Sequence, residues 1–342
     1  MAKTKAKPRS KVRKKKVKAV IDFTKFTKAW DQWVTATKRG LSRSKKMRKP
    51  KRSKENERWM TFAWVVPAVV GVLAVGLLIK PKTQYPVALT SPKIVGMFEK
   101  VKGQKFEERI AFWSERLLKK PDLLSVLGNG PEVNDTAPLF PHGYDCTTYV
   151  ETVGALARSN GGSDIADQLI SIRYHNGDIS FESRNHFPEA DWIPNNQAAG
   201  ILKDITLSVA RKSGFVAGFA YKEIDKVAWL KSQRNEHATR AIASLNKEPV
   251  SVKLPYIPLD RLNTSLQHIP QGAILNIVRE NKKNQPVLIT HQGFLIWKNG
   301  VAYFRHASRN KQITEMPLSR YLENTKRMPW RVLGVNINTF ES

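Results

Sequence analysis

The chain has 342 residues, 41% of them hydrophobic, and carries 58 Lys and Arg against 29 Asp and Glu, a formal net charge of +29. This length is sufficient for a hydrophobic core that needs no disulfide or metal for stability. The single cysteine excludes a disulfide scaffold and any zinc or iron–sulfur site built from several cysteines. A charge of this size is typical of proteins that bind nucleic acid or anionic membranes, so its distribution matters.

Most of the positive charge lies before residue 59. Residues 1–58 hold 23 Lys and Arg and four acidic residues, a net charge of +19, whereas residues 59–342 carry +10. The arm 1–58 is predicted to be largely disordered, with a short basic amphipathic helix near 21–37. We expect it to bind anionic lipids of the inner leaflet. Nucleic acid is a less favoured partner because no recognition motif accompanies the charge, and a cell-envelope protein is another possible partner.

An uncharged segment of 21 residues, 59–79, follows the basic arm. It is long enough to cross a bilayer as a helix, and Trp59 and Trp64 fit interfacial anchors. A buried helix of a soluble protein and a cleaved signal peptide are the alternatives. The signal peptide fits poorly because 58 residues precede the apolar run. The positive-inside rule then predicts a cytoplasmic N-terminus and an extracytoplasmic remainder, which is periplasmic or on the cell-wall side.

After a predicted linker, 80–91, the exported domain 92–342 shows helical periodicity first and strand patterns last, which indicates an α+β fold with an antiparallel sheet. Asn299-Gly300 is a strong signal for a hairpin turn. The predicted helices are Pro92–Val101, Lys105–Lys119, Asp145 to about Ser159 and Pro317–Asn324, with a loop over Gly128–Gly143 and an irregular region from Ile172 to about Val209. The predicted strands are Gly272–Glu280, Val287–Trp297, Val301–Ala307 and Trp330–Ile337.

The lone cysteine, Cys146, lies where the loop turns into a helix, and Asp145 is a good N-cap for that helix. A thiol in the first helical turn faces unpaired N–H groups and the positive end of the helix dipole, which stabilise a thiolate. These features favour a catalytic nucleophile. A buried, inert cysteine is an equally good interpretation of the local sequence alone.

Two histidines are candidates for the base that a nucleophilic thiol needs. His291 and His306 lie on the two predicted strands of the hairpin. A turn at Asn299-Gly300 places residue 293 opposite His306, so the two histidines become diagonal neighbours, within reach if a bulge or register shift intervenes. Metal binding by the pair is a competing use, but no third ligand stands at a suitable spacing, and we expect no metal and no cofactor.

These residues carry a resemblance to a known family. The chain resembles the N-acetylmuramoyl-L-alanine amidase-like family, among the papain-like NlpC-type cell-wall cysteine hydrolases, over roughly residues 92–340. The motifs are Asp145-Cys-Thr-Thr-Tyr-Val-Glu151, Arg173-Tyr-His-Asn-Gly177, Ser183-Arg-Asn-His-Phe187, Asp191-Trp-Ile193, Thr290-His-Gln-Gly293 and Arg305-His-Ala-Ser308.

The resemblance implies a papain-like fold in which Cys146 is the nucleophile, His291 the general base and His306 the residue that orients it. Gln292 departs from the valine more usual after such a base. This position is expected to point away from the site. The residues around the cysteine, Tyr144, Asp145 and Thr147, are candidates for oxyanion or substrate contacts. The oxyanion is expected at the backbone N–H of Cys146, with help from the Tyr144 hydroxyl.

The irregular middle region is the expected source of further substrate contacts, since arginine pairs with carboxylates and aromatic rings cover sugar faces. The alternative is a structural polar network. The candidates are Arg173, Tyr174, Arg184, His186, Asp191 and Trp192.

The expected function is cleavage of a peptidoglycan amide by a membrane-anchored enzyme. The bond between muramic acid and L-Ala is favoured over a stem-peptide bond such as γ-D-Glu to diaminopimelate. An acyltransferase of the same fold is one alternative. A non-catalytic envelope protein, which binds cell wall outside and a scaffold or nucleic acid inside, is the other.

Overall fold

The computed structural model describes residues 92–123, 143–233, 236–244 and 248–342. The predicted amphipathic helix near 21–37, the span 59–79, the linker 80–91 and nearly all of the loop Gly128–Gly143 lie outside the described residues. Within the described ranges, no helix combines the length and the apolar character needed to cross a bilayer.

Ten α-helices occur in the described part of the chain, together with short 3₁₀ turns at His175–Gly177 and Leu266–His268 and a π-helical turn at Pro188–Trp192. They are α1 (Pro92–Val101), α2 (Phe106–Arg116), α3 (Cys146–Arg158), α4 (Ile165–Arg173), α5 (Ile193–Ala198), α6 (Thr206–Lys212), α7 (Lys226–Gln233), α8 (Glu236–Ser244), α9 (Leu259–Ser265) and α10 (Leu318–Lys326).

The strands form one antiparallel sheet in the order β2-β3-β8-β4-β5-β6-β7. The last strand is central: β4 pairs with one edge of β8, and β1 and β3 pair with different stretches of its other edge. The strands are β1 (Leu202–Asp204), β2 (Gly218–Ile224), β3 (Val250–Pro258), β4 (Ile274–Arg279), β5 (Ile289–Lys298), β6 (Val301–Ala307), β7 (Ile313–Pro317) and β8 (Val332–Phe340).

Helices cover both faces of the sheet, and alternate residues of the central strands supply two separate cores. On β4, Ile274 and Val278 pack with α1–α4, whereas Leu275 and Ile277 pack with α6, α9 and α10. All six residues of β4 are buried for this reason. The predicted α+β fold with an antiparallel sheet is therefore confirmed.

The structure corrects the prediction in the middle of the chain. The region from Ile172 to about Val209, predicted to be irregular, carries a π-helical turn, two short helices and β1. These elements are three to seven residues long, too short to show periodicity. Buried asparagines hold them instead: Asn185 and Asn196 both donate to the carbonyl oxygen of Ile172, at 3.2 and 2.9 Å.

Candidate active site

Cys146 is the first residue of α3, as predicted, and its side chain is partly exposed. Asp145 caps the helix: its Oδ1 accepts a hydrogen bond from the N–H of Thr148 at 2.8 Å, and the Thr148 hydroxyl accepts one from the N–H of Asp145 at 3.0 Å. This reciprocal capping box fixes the direction in which the chain enters the helix, and with it the position of the thiol.

The thiol itself is held in its protonated form. Burial raises the pKa of Cys146 to about 12, the Asp145 carboxylate adds to this, and hydrogen bonds from the backbone of Gln292 and from Thr147 oppose it. The donors at the helix start, which were expected to stabilise a thiolate, therefore do not bring the pKa of Cys146 below its ordinary value in this site. Desolvation outweighs the donors around the sulfur atom. The hydrogen bond with Gln292 also places the sulfur beside β5, at the residue that follows His291.

The two histidines are diagonal neighbours, as the hairpin register predicts, and they meet without the bulge or register shift that was expected to be needed between β5 and β6. Gly293 lies opposite His306, and Nε2 of His291 is 2.8 Å from Nδ1 of His306. Their rings are nearly perpendicular, with centroids 4.9 Å apart. The turn that sets this register has positive φ at both Asn299 (50°) and Gly300 (75°), as a tight hairpin requires.

Both imidazoles are neutral in this environment. Burial lowers the pKa of His291 to about 3, and the neighbouring His306 and Arg279 lower it further. Burial also lowers the pKa of His306 to about 4. These shifts favour a resting site with a thiol and two neutral rings over a thiolate–imidazolium pair. Among the described residues, no group of three metal-binding side chains accompanies the pair.

Tyr321 of α10 is a site residue that the sequence analysis missed. Its ring stacks on His291 at 6.1 Å between centroids and meets His306 at 5.0 Å. Burial raises its pKa, and the Cys146 thiolate charge would raise it further. No motif surrounds Tyr321 in the sequence, and only the fold brings α10 against the hairpin.

A chain of buried amides joins the cysteine helix to the sheet. The Thr147 hydroxyl donates to Oε1 of Gln292 at 2.9 Å, Gln292 donates to Oδ1 of Asn276 at 2.8 Å, and Asn276 donates to Oδ1 of Asn336 at 2.9 Å. Asn336 donates in turn to Asp204 at 2.7 Å. The side chain of Gln292 thus contacts Thr147, next to the nucleophile, and links α3 to the strand that carries His291.

Three of the predicted substrate contacts are buried in the protein. Arg173 is fully buried and its Nε lies 2.7 Å from Oε2 of Glu151 in α3. Tyr174 and Trp192 are also buried, at 1% and 0% exposure. These positions match the alternative interpretation, a structural polar network that supports the cysteine helix.

The other three, Arg184, His186 and Asp191, line a cavity of about 40 Å³. Nε2 of His186 donates a hydrogen bond to the carbonyl oxygen of Phe181 (2.8 Å), and Asp191 forms an ion pair with Lys226. A cavity of this volume holds about one water molecule and no sugar ring. Tyr144, the predicted oxyanion contact, is a buried member of the α1–α4 core, and burial raises its pKa.

Several crystal structures share this fold. A Legionella pneumophila protein, LPG0564 of the family DUF1460, is 28% identical with a TM-score of 0.64, over 73% of this chain and 94% of that chain. An N-acetylmuramoyl-L-alanine amidase from Bacteroides uniformis is 22% identical with a TM-score of 0.53, over 69% of this chain and 99% of that one. No curated protein matches the chain at a significant level.

The model of the N-acetylmuramoyl-L-alanine amidase-like (AmiA-like) family matches residues 113–328, more than half of the chain. This range includes Cys146, His291, His306 and Tyr321. The wider placement among papain-like NlpC-type hydrolases stays a prediction. The chain belongs to the N-acetylmuramoyl-L-alanine amidase-like family.

Proposed function

We propose that the chain hydrolyses an amide bond of peptidoglycan, with Cys146 as nucleophile and His291 as base. The observation that carries the proposal is the hydrogen bond between the Cys146 thiol at the start of α3 and the backbone of Gln292 on β5. Gln292 follows His291, whose ring contacts His306 on β6. Family membership supports the substrate class. The order of the groups along the chain, a cysteine at a helix start and then two histidines on the sheet, is the order that the resemblance implies, and it supports a papain-like mechanism.

The tautomers follow from the His291–His306 contact. Because Nε2 of His291 is engaged with His306, Nδ1 is the ring atom left to take the thiol proton. Sγ attacks the carbonyl carbon as its proton moves to Nδ1, and the N–H of Cys146 donates to the oxyanion. When the C–N bond breaks, His291 gives that proton to the amine. Water, deprotonated by His291, then releases the acid and restores the thiol.

The remaining predicted contacts have supporting roles in this proposal. Tyr144 is the second candidate for the oxyanion, while Asp145 and Thr147 hold the helix start. Arg184, His186 and Asp191 reach substrate only if the small cavity that they line opens. Arg173, Tyr174 and Trp192 support α3 from within the core.

The test is mass spectrometry of muropeptides after digestion of purified peptidoglycan by the chain and by its Cys146→Ser variant. New muropeptides are expected only with the wild type, and their masses identify the bond; we propose muramic acid to L-Ala first and a stem-peptide bond second. Added amine acceptors separate hydrolysis from acyl transfer. Equal products from both proteins, or none from either, would contradict the proposal, and binding without products would favour the non-catalytic envelope protein.

We further propose that residues 59–79 anchor the chain in a membrane, with the basic arm on the cytoplasmic side. The support is the uncharged stretch of 21 residues that follows a segment of net charge +19. Protease added outside spheroplasts should digest the 92–342 domain and spare an epitope tag at the N-terminus. Protection of both ends would contradict this topology.

A further inference from the structure

Arg279, the last residue of β4, is tied to the residue that precedes His291. Its Nε donates to Oγ1 of Thr290 at 2.8 Å. The rest of the guanidinium donates to the carbonyl oxygen of Trp330 and lies 3.1 Å from Sδ of Met328. With only 8% of its surface exposed, Arg279 joins β5 to the segment before β8.

These contacts coincide with two irregularities of the sheet. Between β4 and β5 the register shifts, so that Ile277 faces His291 but Val278 faces Ile289, and Thr290 is the extra residue. Between β4 and β8 it shifts again, directly before Arg279. Bulges redirect side chains and are costly to leave unsupported. The Arg279–Thr290 bond supports the bulge from which His291 projects.

The charge of Arg279 also acts on the site. Within the described ranges no carboxylate forms an ion pair with it, so its charge is not neutralised locally. The titratable groups around His291 are His306 on β6, Tyr321 on α10 and Arg279 on β4, and the charge of Cys146 on α3 acts on Tyr321. Arg279 is the permanent cation of this set.

We propose that Arg279 is a positioning residue for His291: it holds the bulged strand that aims the imidazole and keeps a positive charge beside it. The charge disfavours imidazolium, so the ring stays unprotonated and available as a base. The catalytic consequence rests on the proposed function, whereas the effect on His291 itself does not.

The test measures the pKa of His291 in the full chain, from the exchange of its imidazole C2 hydrogen for deuterium, followed by mass spectrometry between pH 2 and 8, a range that includes the lowered pKa of about 3. Arg279→Gln should raise the midpoint of His291 by about 0.5 pH unit or more, because a nearby like charge is lost. Arg279→Lys should leave it near the wild-type value. Arg331→Gln, which removes an exposed cation, is the matched control. An unchanged midpoint in Arg279→Gln would overturn the proposal.

Thr290→Val tests whether Arg279 positions His291 through its hydrogen bond to Thr290. This variant serves as the test if Arg279→Gln does not fold. It removes the hydrogen-bond acceptor but keeps the arginine charge. The titration midpoint of His291 should remain at the wild-type value, while kcat should fall between several-fold and about 100-fold because the base is misaligned. An unchanged kcat would overturn the positional role. If the proposed function is wrong, the result differs, because the wild-type chain itself does not cleave peptidoglycan.

Discussion

In the proposed mechanism, the Cys146 thiol differs from the nucleophile of a resting ion pair because its proton leaves only during attack. Burial and the Asp145 carboxylate raise its pKa to about 12, and the pKa of His291 is lowered to about 3. Proton transfer from sulfur to the imidazole before substrate arrives is therefore unfavourable. In the proposed mechanism, substrate binding promotes this proton transfer through exclusion of water and contacts to the carbonyl oxygen.

Reactivity of Cys146 toward iodoacetamide tests this protonation state. Because the thiolate is the reactive form, labelling at pH 7 should be slower than that of a free thiol of pKa about 8.5, and it should rise with pH beyond pH 9. The urea-unfolded chain is the control, since Cys146 is the single cysteine. Rapid labelling at pH 6 would show a thiolate at rest. Slow labelling is expected of a catalytic and of a non-catalytic protein alike, so the muropeptide digest must distinguish the two.

His306 provides a second test at the scale of one residue. Its Nδ1 lies 2.8 Å from Nε2 of His291 and fixes the tautomer of the base. His306→Ala should lower kcat about 10- to 100-fold with a small change in KM, because the ring loses its partner and samples other orientations. His306→Asn keeps an acceptor and should recover part of the loss. Equal activity of both variants and the wild type would exclude an orienting role.

The β5–β6 hairpin depends on a residue without a side chain. A Cβ at Gly293 would lie 2.7 Å from the carbonyl oxygen of Arg305 and 2.8 Å from Cβ of His306, closer than packing allows. Gly293→Ala should therefore lower the free energy of unfolding by about 1–3 kcal/mol.

The same change should lower activity by more than the loss of folded protein explains, since the strands that carry both histidines must separate. Gly96→Ala is the control, because a Cβ at this exposed helical position meets nothing within 4 Å. Urea denaturation of both variants measures the difference. A Gly293→Ala protein as stable as wild type would show that the hairpin relaxes without cost.

Local signals explain why the hairpin, the N-cap and the helix-start cysteine could be predicted from the sequence. Asn299-Gly300 fixes the turn, and the turn fixes which residue faces His306. The contributions of Tyr321 and Arg279 could not be predicted. Tyr321 lies on α10 and Arg279 at the end of β4, no motif surrounds either residue, and only the fold brings them to the histidines. The central place of β8, between β3 and β4, is likewise set by pairings between distant segments.

At the scale of the whole molecule, buried ionisable groups make opposite contributions to folding stability as the pH falls. The pKa values of His186, His291 and His306 are lowered to about 3, 3 and 4. Histidine in the unfolded chain titrates near pH 6.5. Between pH 6.5 and about 4 the unfolded chain therefore binds protons that the folded chain does not bind, and stability decreases as the pH decreases. Burial raises the pKa of Glu189 to about 7, which has the opposite effect between pH 7 and about 4.5.

Two substitutions separate these contributions. Glu189→Gln removes the titration but keeps an oxygen to accept from the N–H of Leu288, so unfolding free energy should fall more steeply from pH 7 to 5 than in wild type. His186→Phe should make the decrease in unfolding free energy with falling pH shallower. The phenyl ring takes the place of the imidazole between Phe181 and Trp229. Each slope should change by up to about 1.4 kcal/mol per pH unit. Urea denaturation at pH 7, 6 and 5 measures the slopes, and parallel curves for the three proteins would mean that neither group keeps its shifted pKa.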